Sequence, residues 1–327
     1  MGMSSISVVV ACYNGEKTIV RQLDSLRKQT RRPDEVLIFD DASIDRSAEV
    51  IEEYIEKYKF DTWKLIRNKT NVGWKQNFFQ GVVQCSNNII FLCDQDDEWQ
   101  HEKIQKMTGV LETHPNINLL ACDYEIKYGI HSIPMRKYRK KGTERNELIN
   151  QYLFTTRFFQ NPSPGCTYAV RKPFIKNIMK YWFPEAPHDE FMWLLATMTD
   201  SAWFYNEKLM TIFRGESNAS DVKYKDIKMQ LKNIEYIHTM LDKLDQYTVH
   251  VVDRCVIRER QDHISAENIE ALKGARVWCE KRRILLKKRN PFLWLNMMAY
   301  WKYYNSFRNC LSDLYLVMFG CFHRRTR

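Results

Sequence analysis

Two acidic residues that follow an apolar run suggest a cation site. Residues 89–93 are all apolar, and Asp94, Gln95 and Asp96 come directly after them. A buried strand does not hold carboxylates midway, so the acids mark the point where a strand leaves the sheet at its carboxyl edge. In an extended chain Asp94 and Asp96 point to the same side, where their like charges repel.

A hard divalent cation would remove that repulsion. Mg²⁺ or Mn²⁺ binds one or two carboxylates together with phosphate oxygens, so the pair predicts a phosphorylated ligand. The alternative is an acidic loop that stabilises the N-terminus of a helix starting near Trp99 or His101, since acids favour that end of a helix. The hydrophobic strand before the acids favours the cation site.

Two further apolar runs end in polar turns. Residues 6–12 lead into Tyr13, which offers a flat face for a base, and into Asn14-Gly15, which permits positive φ. Residues 35–39 lead into Asp40 and Asp41, and Asp41 could accept hydrogen bonds from a base or a ribose. Each turn alone could be an ordinary strand-to-helix connection. Three on one sheet edge indicate a nucleotide-binding edge.

The elements that must position these turns alternate along the first half of the chain. Short β-branched runs predict strands at about 6–12, 35–40, 62–67 and 88–93, and helix-period segments lie between them. This alternation is typical of an α/β fold with a parallel sheet. Strand-like runs recur at 117–122 and 209–213, and a basic stretch at 136–141 predicts a surface loop. We place a boundary near residue 222, which gives domains of 1–222 and 223–327.

The second domain reads as helical. Apolar residues recur every three or four positions over 227–244, and residues 273–289 form a basic amphipathic segment before an aromatic tail. The formal net charge of +10 attracts anionic partners. The tail either lies on an anionic membrane surface or forms a packed subdomain. Its uncharged run at 314–322 is too short to cross a bilayer, and no nucleic-acid-binding motif is present.

The nine cysteines are scattered and form no C-x-x-C pair. They lie mostly among apolar neighbours, which predicts reduced, buried side chains rather than a disulfide framework or a zinc site. The first apolar run begins almost at the N-terminus, without the basic and long apolar regions of a secretory signal. We therefore expect a cytoplasmic protein.

Four segments together resemble glycosyltransferase family 2 in order and spacing. They are 11–15, 40–43, 71–73 and 93–99, and the resemblance covers about residues 5–220. It implies a GT-A fold, a nucleoside-diphosphate sugar donor, Mg²⁺ or Mn²⁺, and inversion at the anomeric carbon. The D-Q-D-D-x-W form is similar to bacterial surface-polysaccharide enzymes, including rhamnosyltransferase-like members, which implies dTDP-rhamnose or a UDP-hexose as donor.

The resemblance also implies roles for individual residues. Asp96 would bind the metal, and Asp189, in an H-D pair, would be the general base, although a helix cap is its alternative. The donor would be held by Ala11, Tyr13, Asn14, Glu16, Asp41, Asn71, Gly73, Lys75, Asp94, Gln95 and Arg214. The acceptor side would include Trp99, Gly165, Cys166, His188 and Glu190. The family's histidine after Arg214 is absent, since Gly215 or Glu216 stands there, so a third metal ligand stays open.

The expected acceptor is a saccharide or a lipid-linked saccharide, which the basic, aromatic tail would approach at the membrane. Two other functions are compatible with parts of the sequence. A sugar nucleotidyltransferase would need a glycine-rich, arginine-bearing loop after the first strand, and the chain has Tyr13-Asn14-Gly15-Glu16 there. A non-catalytic, membrane-docked assembly protein would not need all the acids. The sequence leaves the oligomeric state open.

Overall fold

The structure, a computed structural model, describes residues 3–129, 147–155, 163–184, 186–214, 265–304 and 307–319. The chain divides into two compact units. The first unit consists of Met1–Leu153 and Asn161–Gly215, and the second of Phe154–Gln160 and Glu216–Arg327. The boundary expected near residue 222 and the helix expected over 227–244 fall outside the described residues, as does the basic stretch at 136–141.

The first unit is built on one mixed sheet. The strands described are β1 (Ile6–Cys12), β2 (Glu35–Asp40), β3 (Trp63–Arg67), β4 (Ile89–Asp94), β5 (Glu98–Trp99), β6 (Leu119–Tyr128), β7 (Ile149–Gln151), β8 (Tyr168–Arg171) and β9 (Ala202–Arg214). Their order is β3-β2-β1-β4-β8-β6-β9-β5, with β7 paired to β9. Strands β1 to β4 are mutually parallel, whereas β8 runs antiparallel to both β4 and β6.

This order places a switch point next to β1. The chain moves outward from β1 to β2 and β3, and then returns to the other side of β1 with β4. Ligands of open α/β sheets bind at the carboxyl ends of the strands that flank such a reversal. In the register of the sheet Ala11 lies beside Asp94, so the polar turns after β1 and β4 emerge side by side.

The helices cover the sheet with their apolar faces. In the first unit they are α1 (Ile19–Arg27), α2 (Ser47–Tyr58), α3 (Trp74–Gln84), α4 (Lys103–Thr113), α5 (Lys172–Ile178) and α6 (His188–Met198). Ile19, Leu23 and Leu26 of α1 are fully buried, as their spacing predicts. The β-branched residues of β1 and β2 are buried on both faces, which is typical of central parallel strands.

The second unit has its own small core. It contains α7 (Ala266–Lys288), α8 (Pro291–Met297) and α9 (Phe307–Phe319), with a 3₁₀ turn at Met298–Tyr303. Within it, Arg282 donates two hydrogen bonds to Asp313, at 2.6 and 2.8 Å, and Tyr304 donates a third at 2.6 Å. The Asp313 side chain is fully buried, so this ion pair fixes α7 against α9. Part of the aromatic tail is therefore core.

The predicted α/β class and parallel first half are confirmed. The predicted strands agree with β1 to β4 within a residue or two at either end, and residues 273–289 are almost all helical. The helix considered near Trp99 or His101 is α4, which begins at Lys103. The prediction gave no bounds for α3, and it did not contain the short strands β5, β7 and β8. Among the described residues, no helix is both long enough and apolar enough to span a membrane.

Candidate functional site

The acids after β4 form the centre of the candidate site. Strand β4 ends at Asp94, and Gln95 and Asp96 lie in a tight turn. The expectation of an extended chain through Asp96 is therefore wrong. The turn instead brings Asp97 back toward the sheet, where ligand atoms of Asp94, Asp97 and Cys166 lie within 4.8 Å of one another.

Burial raises the pKa of all three carboxyls in this cluster, and neighbouring carboxylates raise those of Asp94 and Asp97 further. Burial, followed by the charge of Asp96, raises the pKa of Asp94 from its ordinary 3.8 to about 7. Burial also raises the pKa of Asp96. The pKa of Asp97 is raised well above its ordinary value, first by burial and then by the charges of Asp94 and Asp96. The cluster therefore retains protons to higher pH than isolated aspartates do.

The donor atoms of the cluster fit a hard divalent cation. Oδ2 of Asp97 is buried and has no hydrogen-bond partner among the described residues, and the side chain is only 1% exposed. Burial raises the pKa of the Cys166 thiol well above its usual range, so this group is a protonated donor that lowers the pKa of Asp94 and Asp97 by hydrogen bonding. Carboxylate oxygens are the ligands that Mg²⁺ and Mn²⁺ prefer.

Gln95, between the two acids, connects the acid turn to the turn after β1. Its Oε1 accepts from the Tyr13 amide at 2.8 Å, and its Nε2 donates to the Tyr13 carbonyl at 3.0 Å. Gly15 permits this approach, because a Cβ at that position would lie 2.3 Å from Oε1 of Gln95. Both polar groups of Gln95 therefore bind protein, and the ring of Tyr13 stays 43% exposed.

The turn after β1 is fixed on its other side by the turn after β2. Asn14 adopts φ of +49°, as the sequence predicted for the Asn14-Gly15 pair. Its amide donates to the Ser43 hydroxyl at 2.9 Å, and its side-chain oxygen accepts from the Ile44 amide at 3.0 Å. The Glu16 carboxylate accepts from the amide of Arg46 at 3.2 Å. The polar turns thus form one hydrogen-bonded edge.

Asp41 occupies a structural position at this edge. Its side chain is buried, and its oxygens accept from the amides of Val72 and Gly73, both at 2.8 Å, and from the side chain of Asn68 at 2.9 Å. Asn71 accepts a further bond from the Gly73 amide at 3.1 Å. Much of the hydrogen-bonding capacity predicted for a base or ribose is therefore used to hold the loop before α3.

Asp189 lies in the first turn of α6, where its negative charge acts on the acid cluster. The helix begins at His188 after Pro187 and has no side-chain cap, so the alternative role of Asp189 as N-cap is wrong. The charge of Asp189 contributes to the raised pKa of Asp94. A Cβ on Gly165 would lie 2.9 Å from the Cβ of Asp189, so the glycine permits close packing beside the candidate base.

The neighbours of Asp189 differ in their environment. His188 is buried and stacks on Phe78, with ring centroids 4.2 Å apart. Its ring nitrogens have no hydrogen-bond partner among the described residues, and burial lowers its pKa, which keeps the imidazole neutral. Glu190 is exposed. The structure therefore brings Gly165, Cys166, His188 and Asp189 together, and it leaves Glu190 toward solvent.

Trp99 is buried. It is 2% exposed and packs against Phe91 in the core. The Nζ atom of Lys103, a fully buried lysine, lies 3.8 Å from the centroid of the Trp99 ring and donates to the Cys166 carbonyl at 2.8 Å. The assignment of Trp99 to the acceptor side is corrected accordingly: its place in the motif reflects packing, because the ring covers the buried ammonium.

Two guanidinium groups lie near the acids. Arg214 at the end of β9 lowers the pKa of Asp94 and Asp96 through its charge. Arg21 of α1, which sequence reasoning missed, donates to the Asp96 carbonyl and stacks on Phe213 at 3.7 Å. Its position on the edge of the apolar face of α1 gave no sign of this contact. The loop after Arg214, where a third metal ligand was considered, lies outside the described residues.

Asp97 and Lys103 were also missed as site residues. Asp97 lay within the acidic run, and its place after the D-x-D pair was the available signal. Lys103 shares the buried face of α4 with Met107 and Leu111, and a lysine at apolar helical spacing is a sign that its charge has a buried partner. Lys75 lies at the start of α3, with Nζ 5.8 Å from the Trp74 ring centroid.

Comparison with known proteins gives one family and several relatives. Residues 7–178 match the model of the family described as Glycosyl transferase family 2. A protein named dTDP-rhamnosyl transferase RfbG of Shigella flexneri is 25% identical over 222 residues, which cover 64% of this chain and 72% of RfbG. The poly(ribitol-phosphate) beta-N-acetylglucosaminyltransferase TarS of Staphylococcus aureus is 23% identical over 269 residues, and the alignment spans 77% of this chain but 44% of TarS.

Two solved structures share the fold. Residues 1–349 of S. aureus TarS in complex with UDP-GlcNAc superpose with a TM-score of 0.59 at 15% identity, covering 96% of this chain and 81% of that one. The mannosyltransferase PcManGT of Pyrobaculum calidifontis, solved with GDP-Man and Mn²⁺, gives a TM-score of 0.52 at 13% identity and covers 97% and 86%. At these low identities the two structures show only that the chain shares the GT-A fold.

Proposed function

Because this chain belongs to glycosyltransferase family 2 and is a glycosyltransferase with a GT-A fold, we propose that it inverts the anomeric centre of its donor in a metal-dependent reaction. The donor is a nucleoside-diphosphate sugar, and the acceptor is a saccharide or a lipid-linked saccharide. The proximity of Asp189 to the acid cluster after β4 carries the proposal. A base and a cation site at one sheet edge are what the proposed reaction would require.

Asp189 accepts the proton of the acceptor hydroxyl as its oxygen attacks C1 from the side opposite the diphosphate. Its position in the first turn of α6 favours the negative charge, because the helix N-terminus is positive. Asp94 lies on the donor side, within the field of Asp189, where it orients hydroxyls of the sugar and the ribose. The turn that contains Tyr13 and Asn14 positions the base.

The diphosphate accumulates negative charge as it leaves. Asp96, together with Asp94 or Asp97, would hold a divalent cation, which when bound neutralises the phosphate oxygens. Arg214 lies close enough to lower the pKa of Asp94 and Asp96, and its planar fork matches phosphate oxygens. The ammonium group of Lys75, near the start of α3, adds a positive charge to that of Arg214.

Relatives support a choice of donors and a biological class. RfbG is named a dTDP-rhamnosyl transferase, and TarS was solved with UDP-GlcNAc. We propose dTDP-rhamnose or a UDP-hexose as the donor here, in bacterial surface-polysaccharide synthesis such as capsule or O-antigen.

The test is a donor panel. Purified full-length chain is incubated with dTDP-rhamnose, UDP-glucose, UDP-galactose and UDP-GlcNAc, each with Mn²⁺, Mg²⁺ or EDTA, and release of nucleoside diphosphate is measured. We expect release from one donor, loss with EDTA, and loss in Asp96→Ala. Asp61→Ala is the matched control, because Asp61 is exposed and distant in sequence from the acids. Release that survives both EDTA and Asp96→Ala would contradict metal dependence.

We propose further that the second unit binds an anionic membrane, at the inner face of the plasma membrane. Four large side chains of α9 recur at helical spacing and are exposed: Phe307, Leu311, Tyr315 and Met318. Exposed cations of α7, including Lys281, Lys287 and Lys288, complement anionic headgroups. Aromatic and aliphatic residues that lie beside cations favour the interface over bulk water.

Vesicle co-sedimentation distinguishes a membrane surface from an ordinary solvated helix. We expect the chain to sediment with vesicles that contain phosphatidylglycerol and to stay in solution with pure phosphatidylcholine. Leu311→Ser combined with Tyr315→Ser should reduce sedimentation, whereas Val83→Ser, an equally exposed change in the first unit, should not. Equal sedimentation of all variants would show that α9 does not contact the membrane.

A further inference from the structure

An exposed aromatic ring stands beside the candidate base. Trp74, the first residue of α3, is 42% exposed, and Val72 just before it is 39% exposed. A single exposed apolar residue on a protein surface is ordinary. This ring is distinguished by its neighbours, because it makes a T-shaped contact with His188, with centroids 5.6 Å apart and planes at 74°. His188 directly precedes Asp189.

The position of the indole is fixed by the loop before it. Gly73 adopts φ of +83°, a conformation that other residues rarely adopt, and α3 begins at the next residue. Asp41 accepts from the amides of Val72 and Gly73, both at 2.8 Å. A rigid aromatic side chain loses little conformational entropy when it binds a ligand. The backbone that carries Trp74 is therefore held in place by the loop before it.

A buried polar group lies next to the same ring. His188 is 4% exposed, and both ring nitrogens are without hydrogen-bond partners among the described residues. Its imidazole stacks on Phe78 and makes a T-shaped contact with Trp74. Gly165 packs closely against Nε2, since a Cβ there would lie 3.0 Å away. Buried polar groups normally have partners, so this site is suited to a ligand hydroxyl.

We propose that Trp74 is a stacking platform for a pyranose ring of the acceptor, with His188 directed at one of its hydroxyls. The inference rests on the proposed function, since it places the acceptor sugar beside Asp189. The C–H bonds on one face of a pyranose lie flat on an indole, while its hydroxyls stay at the rim. Trp74 thereby selects saccharides that present such a face next to the attacking hydroxyl.

The experiment measures acceptor and donor binding separately. The probes are methyl α-L-rhamnopyranoside, methyl β-D-glucopyranoside, methyl β-D-galactopyranoside and methyl N-acetyl-β-D-glucosaminide, titrated into full-length chain with Mn²⁺ and the nucleoside diphosphate. Saturation-transfer NMR identifies the sugar protons that contact protein. Calorimetry of the nucleoside diphosphate alone reports the donor side.

We expect the wild-type chain to bind at least one glycoside, with its C–H protons the most strongly saturated. Trp74→Ala should raise the Kd of that glycoside about 10-fold, whereas Trp74→Phe should raise it no more than about 3-fold, because a smaller aromatic face remains. Val83→Ala, an exposed change on the same helix, should have no effect. The Kd of the nucleoside diphosphate should stay within about 2-fold in all variants.

The possible failures are distinguishable. A wild-type chain that binds the nucleoside diphosphate but no glycoside, or a Trp74→Ala variant that binds the glycoside as well as wild type, would overturn the platform. Equal weakening of glycoside and nucleotide would show that Trp74 acts through the fold, which also overturns it. A wild-type chain that binds no nucleoside diphosphate at all would refute the proposed function instead.

Discussion

Replacing Asp94 by Asn should stabilise the protein while it removes activity. In the folded chain the pKa of Asp94 is about 7, against an ordinary value of 3.8, first because of burial and then because of the charge of Asp96. At 1.36 kcal/mol per pH unit, a difference of about 3 pH units corresponds to at most about 4 kcal/mol. Local relaxation and water reduce that figure, so we expect a gain in the free energy of unfolding of about 1–3 kcal/mol.

The sign of the effect depends on pH. Between about pH 4 and pH 7 the folded chain keeps the Asp94 proton that the unfolded chain releases, so the stability of the wild-type chain falls as pH rises through this window. Above pH 7 the folded wild-type chain bears the full free-energy cost of burying the ionised Asp94 carboxylate. Below pH 4 the carboxyl is neutral in both states, and the advantage of Asp94→Asn should vanish.

Urea denaturation at pH 8 and pH 4.5 measures this difference. Native-state hydrogen exchange of amides in β1 and β4 confines the measurement to the first unit, since a chain with two compact units need not unfold in one step. Asp61→Asn serves as the control for loss of one exposed negative charge. Addition of Mn²⁺ at pH 8 should stabilise the wild-type chain more than Asp94→Asn. A variant that is less stable than wild type at pH 8, or a difference independent of pH, would refute the electrostatic reasoning.

Three further predictions concern other parts of the chain. Gly15→Ala should reduce nucleoside diphosphate release at least about 10-fold and destabilise the first unit by about 1–3 kcal/mol, because the added Cβ displaces Gln95. Activity equal to that of the wild-type chain would contradict this prediction. Asp189→Asn should lower kcat by about 10²–10⁴ with donor affinity unchanged by calorimetry, whereas a lost donor affinity would argue for a role in donor binding. Arg282→Met should lower the free energy of unfolding of the second unit by about 3–5 kcal/mol, because it leaves the buried Asp313 carboxylate without its ion-pair partner. Hydrogen exchange of amides in α7 and α9 measures this loss. Combining Arg282→Met with Asp313→Leu should restore much of it.

The sequence predicted the donor half of the fold well, because its signals are local. The β-branched runs of β1 and β2 and the apolar spacing of α1 depend on short stretches that the sheet then buries intact. The acids after β4 were recognisable for the same reason, since carboxylates mark the end of a buried strand.

The antiparallel strands were harder to predict because their pairing is not local. Strand β8 inserts between β4 and β6, and β5 contains only Glu98 and Trp99. No short pattern in the sequence indicates such partners. The burial of Trp99 follows from the same pairing, since β5 lies against β9. The sequence therefore suggested a ligand-binding role for Trp99, whereas its side chain packs in the core.

Residues that act through other residues were also beyond local reasoning. The side chain of Gln95 bonds a backbone 82 positions earlier, and Asp41 holds a loop 31 positions later. Both lie in motifs that sequence alone associates with the donor. Only the three-dimensional contacts separate a residue that touches a ligand from one that supports its neighbours.

The buried ammonium of Lys103 bears on how the chain can be divided. Its Nζ contacts the Cys166 carbonyl, 63 positions later, and the Met210 sulfur, 107 positions later. A fragment that ended after α4 would contain the nucleotide turns but would leave this lysine without the groups that surround it. The donor half should consequently resist expression as an independent module, and chimeras that exchange acceptor halves should succeed only if the junction keeps the partners of Lys103.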